Sequence, residues 1–144
     1  MKDSDNIHAT CVAIGRAGVL ILGKSGAGKS DLALRLIENK KAVLVSDDRT
    51  CLTFLKDKII AKAPDILKGL LEVRGIGILK YKYIKNVEVK LVVNLVNSLT
   101  EIKRMPDEEY YAFGTVKLPM INLYPFELSS TDKVVIKLKA NLEK

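Results

Sequence analysis

The eight residues Gly23-Lys24-Ser25-Gly26-Ala27-Gly28-Lys29-Ser30 match the pattern G-x-x-x-x-G-K-[S/T] at each fixed position. Their types and spacing suit the binding of a polyphosphate. The glycines let backbone N–H groups turn inward around phosphate oxygens, a lysine can reach the outer phosphates, and a serine hydroxyl can hold Mg²⁺. A second set of chemical groups follows at Val43-Leu44-Val45-Ser46-Asp47-Asp48, an apolar run ending in two acids. Adjacent carboxylates at a strand end can divide labour, one meeting a metal while the other accepts a proton. Alone, such a pair reads equally well as a turn that ends a strand; beside a phosphate loop, the metal-and-base reading is the stronger one.

These groups need elements to position them. The run Gly18-Val19-Leu20-Ile21-Leu22 reads as a buried strand, and residues 31–39 read as a helix with Leu32, Leu34, Leu36 and Ile37 turned largely inward. Asp31 is well placed in the first turn. A strand, a glycine loop and a helix N-terminus form an anion site, because the helix dipole and its free N–H groups converge there. Residues 42–46 give a second buried strand, whose acids would emerge at the carboxyl edge of the sheet beside the loop. Residues 10–14 form a strand, 50–55 and 58–62 a hairpin, and 87–96 a central strand. Pro64 starts a short helix running to about Leu71, residues 118–123 form a further strand, and 132–142 are either a strand or a final helix. The expected class is α/β: one domain over 1–144, a P-loop-containing mixed sheet flanked by a few helices.

A third feature is Leu71-Glu72-Val73-Arg74-Gly75-Ile76-Gly77-Ile78. If extended, it puts Glu72 and Arg74 on one side, and its glycines permit close backbone approach. Without the phosphate loop it would be an ordinary surface strand with an ion pair.

The phosphate loop, then Leu-Val-Ser-Asp-Asp, then Leu-Glu-Val-Arg-Gly-Ile-Gly-Ile, in this order and spacing, resembles the catalytic domain of HPr kinase/phosphorylase. The likeness extends upstream to His8-Ala9 and downstream to Arg104-Met105-Pro106, Leu118-Pro119 and Pro125-Phe126-Glu127. The brevity of the chain resembles the short alphaproteobacterial form, without the N-terminal domain of longer members. The resemblance implies the nucleotide-binding core shared with PEP carboxykinase. It also implies an ATP- and Mg²⁺-dependent kinase that phosphorylates a seryl residue of HPr or an HPr-like carrier, regulating the phosphotransferase system. Longer members also remove that phosphate with inorganic phosphate, giving pyrophosphate.

By the same resemblance, Gly23, Lys24, Ser25, Gly26, Ala27, Gly28, Lys29 and Ser30 bind the donor phosphates, with Ser30, Asp47 and Glu72 in the metal shell. Asp48 is the base that takes the seryl proton, with Asp47 nearer the metal. His8 sits beside the pair and tunes it, although read alone it is a surface residue near a terminus. Arg74 and Arg104 stabilise charge on the transferring group. The family's hexamer implies a homo-oligomer. Three departures stand out: Asp31 where longer enzymes commonly have Glu, a Lys- and Tyr-rich stretch at Lys80-Tyr81-Lys82-Tyr83, and a shortened C-terminal helical region. They bear on carrier docking, oligomer formation and the phosphorylase reaction more than on the kinase chemistry.

Composition narrows the alternatives. The chain has 144 residues, 48% of them hydrophobic, enough for one real core. No apolar run approaches the roughly 20 residues of a bilayer span, and the polar start is unlike a signal peptide, so a cytoplasmic protein is expected. Cys11 and Cys51 have neither C-x-x-C spacing nor enough histidines for a metal site, and read as reduced apolar residues. The net charge of +7 comes from lysines scattered among acids with few interleaved aromatics, which fits a solvated surface better than a nucleic-acid face. A dinucleotide enzyme is disfavoured because the glycines do not give G-x-G-x-x-G, and a small-molecule kinase would need a longer helical lid. The principal alternative is a nucleotide-binding regulatory module with little catalysis, acting through partner contacts.

Overall fold

The computed structural model describes residues 4–143. Its centre is strand β9 (Val87–Leu95), flanked in parallel by β3 (Ala17–Leu22) and β11 (Val116–Leu123). From β3 the sheet continues through antiparallel β2 (Thr10–Ile14) to β4 (Val43–Ser46). On its other side, the first residues of β9 pair with β6 (Lys58–Lys62). From there the sheet runs to β5 (Thr50–Leu55) and β1 (Ser4–Ile7). The far end of β9 pairs with β11, which carries β10 (Glu109–Phe113) antiparallel. One side of β9 thus serves two different neighbours, and the sheet forks.

Strands β3 and β9 read as near-continuous apolar runs because both of their faces are covered. Val19, Ile21, Leu91 and Val93 pack towards α1 (Lys29–Lys40) and α2 (Ser130–Leu142), meeting Leu32, Leu36, Val134 and Leu138. Leu20, Val89 and Val92 face the other way, against Leu52, Ile59 and Leu118. Leu32 and Leu36 are fully buried, and Leu34 and Ile37 pack at the margin, as the helical spacing predicts. The terminal segment, readable as strand or helix, is a helix, because Val134 and Leu138 at i, i+4 give it one buried stripe. No helix among the described residues is long and apolar enough to cross a membrane.

The expected helix from Pro64 to about Leu71 is a single 3-10 turn, Asp65–Leu67. Gly69 stops it, with φ +72° and Tyr83 only 2.9 Å from where a Cβ would stand. The chain then extends into β7 (Leu70–Val73), which forms a separate two-stranded hairpin with β8 (Gly77–Lys80). Arg74 therefore lies in the turn between these strands, so the expectation that it shares one extended side with Glu72 does not hold. Strands β1, β8 and β10 were not expected. All three are mostly exposed and carry little apolar alternation.

Candidate active site

The topology brings three chain segments to one edge of the sheet. The glycine loop leaves the end of β3, where Thr10, at the start of antiparallel β2, pairs with Ile21. Cys11 pairs with Ser46, so Asp47 and Asp48 leave β4 at the same edge. Strand β2 lies between β3 and β4, which makes it the spacer between loop and acids.

In the loop, Gly28 takes φ +105° at the N-cap of α1, and the helix starts at Lys29, two residues before the expected 31. Pro125 Cγ and Phe126 Cζ lie 3.4 and 3.2 Å from the position a Cβ on Gly28 would occupy. Lys29 is only 7% exposed. Its Nζ donates to the carbonyls of Gly23 (2.8 Å) and Lys24 (3.1 Å) at the mouth of its own loop. Burial lowers its pKa from the usual lysine value, opposed by the negative charges of Asp48 and Asp47.

Asp47 is buried, and three protein donors hold it. Oδ1 accepts from Ser30 Oγ at 2.6 Å and Thr10 Oγ1 at 2.9 Å, and Oδ2 accepts from the backbone N–H of Glu72 at 3.1 Å. One carboxylate thereby ties the glycine loop, β2 and β7 together. Asp48 points outward from a tight turn closed by Arg49 N–H to Asp47 O at 2.7 Å, with φ +68°. Its Oδ1 is 2.7 Å from His8 Nε2. A carboxylate only accepts, so Nε2 carries the proton of that bond. Thr50 Oγ1 donates to Ala9 O at 2.9 Å and anchors the backbone beside His8.

Of the sequence-predicted residues, the fold joins the 23–30 loop, Asp47, Asp48, His8 and the Glu72 backbone in one bonded network. The Glu72 side chain is exposed beside it. Arg74 is exposed in the β7–β8 turn, without a hydrogen bond or ion pair to this network among the described residues. Arg104 lies on the 102–108 loop, which with β11 and α2 lines a cavity of about 470 Å³. That cavity is lined by β11, two strands across the sheet from β3, which leads into the glycine loop. We take the bonded network, not the cavity, as the chemical centre, because the groups able to hold phosphate and move a proton converge there.

Sequence reasoning missed Thr10 and Arg35. Thr10 is a hydroxyl in an otherwise apolar, buried strand, which is the signal that could have found it. Arg35 bonds Asp31 Oδ2 (3.0 Å), Ser130 Oγ (2.6 Å) and Pro125 O (2.6 Å), and so fixes the Pro125–Phe126 segment against Gly28. Only its i, i+4 relation to Asp31 is visible in the sequence.

Comparison with known proteins bears on the family and the fold. The family model "HPr Serine kinase C-terminal domain" matches residues 1–140. HPr kinase/phosphorylase of Peptoclostridium acidaminophilum is 35% identical over 111 residues, covering 77% of this chain and 36% of that protein. The namesake in Mycoplasmopsis pulmonis is 31% identical over 147 residues, covering 94% and 47%. The chain thus spans less than half the length of these relatives. The solved structure of the Hpr(Ser) kinase/phosphatase from Coxiella burnetii superposes with a TM-score of 0.82 at 25% identity, covering 97% of this chain and 99% of that one. The family model matches nearly the whole chain, and the mixed sheet with its two helices matches the solved structure: this chain belongs to the HPr serine kinase C-terminal domain family.

Proposed function

We propose that the chain is the catalytic domain of an ATP-dependent protein-serine kinase whose substrate is HPr or an HPr-like phosphocarrier protein. The observation that carries this is the bond from Ser30 Oγ to Asp47 Oδ1 at 2.6 Å, with Asp48 and its His8 partner at the next position. Groups suited to holding a phosphate donor and groups suited to activating a hydroxyl acceptor are thereby one connected unit.

The 23–30 loop and Lys29 would bind the donor phosphates, with Lys29 exchanging the carbonyls of Gly23 and Lys24 for phosphate oxygens. The residues fit Mg²⁺: Ser30 and Asp47 are hard oxygen donors, and Glu72 is tied to Asp47 through its backbone. Among the described residues no group of three or more His, Cys, Asp or Glu could hold a metal by itself. When bound, Mg²⁺ supplies neutralisation of charge on the phosphoryl oxygens.

Asp48 accepts the seryl proton as the seryl oxygen–phosphorus bond forms and the bond from phosphorus to the leaving diphosphate breaks. His8 holds Asp48 in place for that step; Arg74 and Arg104 lie outside the bonded network, and the family resemblance alone assigns them to charge on the transferring group. The reverse reaction with inorganic phosphate would use Asp48 as the acid. A cytoplasmic homo-oligomer without membrane or nucleic-acid partners belongs to the same reading. Because both halves of the network are intact, a binding-only regulatory module is the weaker alternative.

The test is to incubate pure protein with Mg²⁺, labelled ATP and the cognate HPr, and look for phosphoserine. Its formation is expected. No phosphoserine, while a longer relative labels the same carrier, would refute the proposal. Added phosphate should then release pyrophosphate if the reverse activity is present.

A further inference from the structure

We propose that Thr10 is a positioning residue, whose hydroxyl locks Asp47 and Asp48 into one unit and so fixes the base relative to the donor site. The proposal rests on the kinase reading above and deepens it. Thr10 is fully buried. Its Oγ1 donates to Asp47 Oδ1 at 2.9 Å and accepts the backbone N–H of Asp48 at 3.3 Å. A hydroxyl has one proton to give and lone pairs to receive, so it makes both bonds at once.

No other side chain in the bonds described touches both acids. On one side the hydroxyl reaches, through Asp47, to Ser30 and the glycine loop. On the other it reaches the Asp48 turn, and through the Asp48 carboxylate to His8. Asp48 adopts φ +68°, a conformation costly for a residue with a side chain and kept only where the surroundings over-determine it. Thr10 on its N–H and His8 on its carboxylate supply that determination.

The residue type suits the task. A β-branched side chain on a strand has a stiff χ1, so its hydroxyl keeps one direction. The antiparallel register places Thr10 opposite Ile21, two residues before the glycine loop, and the rigid sheet carries the hydroxyl. Valine has nearly the same shape but would leave the Asp48 N–H without this acceptor and Asp47 Oδ1 with Ser30 alone. Serine would keep both bonds with a looser rotamer.

The experiment compares wild type, Thr10→Val and Thr10→Ser with MgATP and HPr, measuring kcat and KM. Thr10→Val should lower kcat by about 10- to 100-fold, the scale of a misplaced catalytic group, with the KM for MgATP within about threefold of wild type. Thr10→Ser should recover most of kcat. Unchanged kcat in Thr10→Val, a loss confined to KM, or a serine variant as poor as valine would each overturn the proposal. A second readout needs no turnover. The chain has a single histidine, so its ring signals in an NMR spectrum report on one site. Thr10→Val should move the Asp48 amide and the His8 ring signals, although Thr10 does not bond His8. If wild type itself makes no phosphoserine, the kinase reading fails, and the spectra alone then decide: unmoved signals overturn the coupling and moved signals support it.

Discussion

Adding one methyl group at Gly28 tests whether the glycine loop has the conformation on which the donor site depends. Two costs can be separated. The first is backbone strain: at φ +105° an L-residue is disfavoured by about 1–3 kcal/mol. The second is steric. The new Cβ would stand 3.2 Å from Phe126 Cζ and 3.4 Å from Pro125 Cγ. Pro125 is held by Arg35 through its carbonyl, but 3.4 Å is ordinary contact. The Phe126 ring is 60% exposed and can swing aside, giving up chiefly its edge contact with Tyr124 at 5.6 Å. Strain therefore dominates.

If the loop keeps its shape, Gly28→Ala loses about 1–3 kcal/mol in urea unfolding. If the loop relaxes instead, stability is spared and the strain returns on binding, weakening MgATP by about 5- to 150-fold. The two losses should sum to the strain. A Phe126→Ala background should restore less than about 0.5 kcal/mol, because it removes only the steric part. Unfolding and calorimetric binding of the four variants complete the cycle. Stability and affinity both within about 0.5 kcal/mol of wild type would refute the reasoning. Full rescue by Phe126→Ala would show that packing, not backbone conformation, is what glycine serves.

Three further outcomes are expected. Arg35→Ala removes bonds to Asp31, Ser130 and Pro125, and should cost about 1.5–3 kcal/mol in urea unfolding and raise the KM for MgATP, with Arg35→Lys recovering only part. Asp48→Asn should lower phosphoserine formation by about 10²- to 10⁴-fold while calorimetry finds nucleotide affinity little changed; retained turnover would remove Asp48 as the base. Burial pushes the Cys11 thiol from 9.0 up to about 12. The unfolded chain therefore releases this proton first as pH rises above 9 and binds fewer protons than the native state, so stability falls across that window. The loss at pH 10 is about 1.4 kcal/mol, absent in Cys11→Ala, and alkaline urea titrations of the two proteins measure it.

The loop and the acidic pair were legible because each is a short, contiguous segment whose chemistry depends on local spacing. The apolar runs of β3, β4 and β9 and the helical spacing of α1 were legible for the same reason, since burial imprints a period on neighbouring residues. Glu72 was legible as a candidate residue, but the bond from its backbone N–H to Asp47 was not. No residue type signals that bond. The turn within residues 71–78 was not legible, because it is set by positive φ at Gly75 and by an Ile76 N–H to Val73 O bond, which a two-residue alternation conceals.

Sequence alone therefore determined what kind of ligand the 23–30 loop suits and that two acids follow it one strand later, since both are properties of local chain geometry. Tertiary structure decided which groups share an edge. Antiparallel β2 places Thr10 beside both the loop and the acids, and His8 reaches Asp48 across 40 residues. Arg35 joins α1 to the segment before α2 across 90. Such pairings depend on strand order and register, which arise from the packing of distant apolar faces and leave no mark in the residues between them.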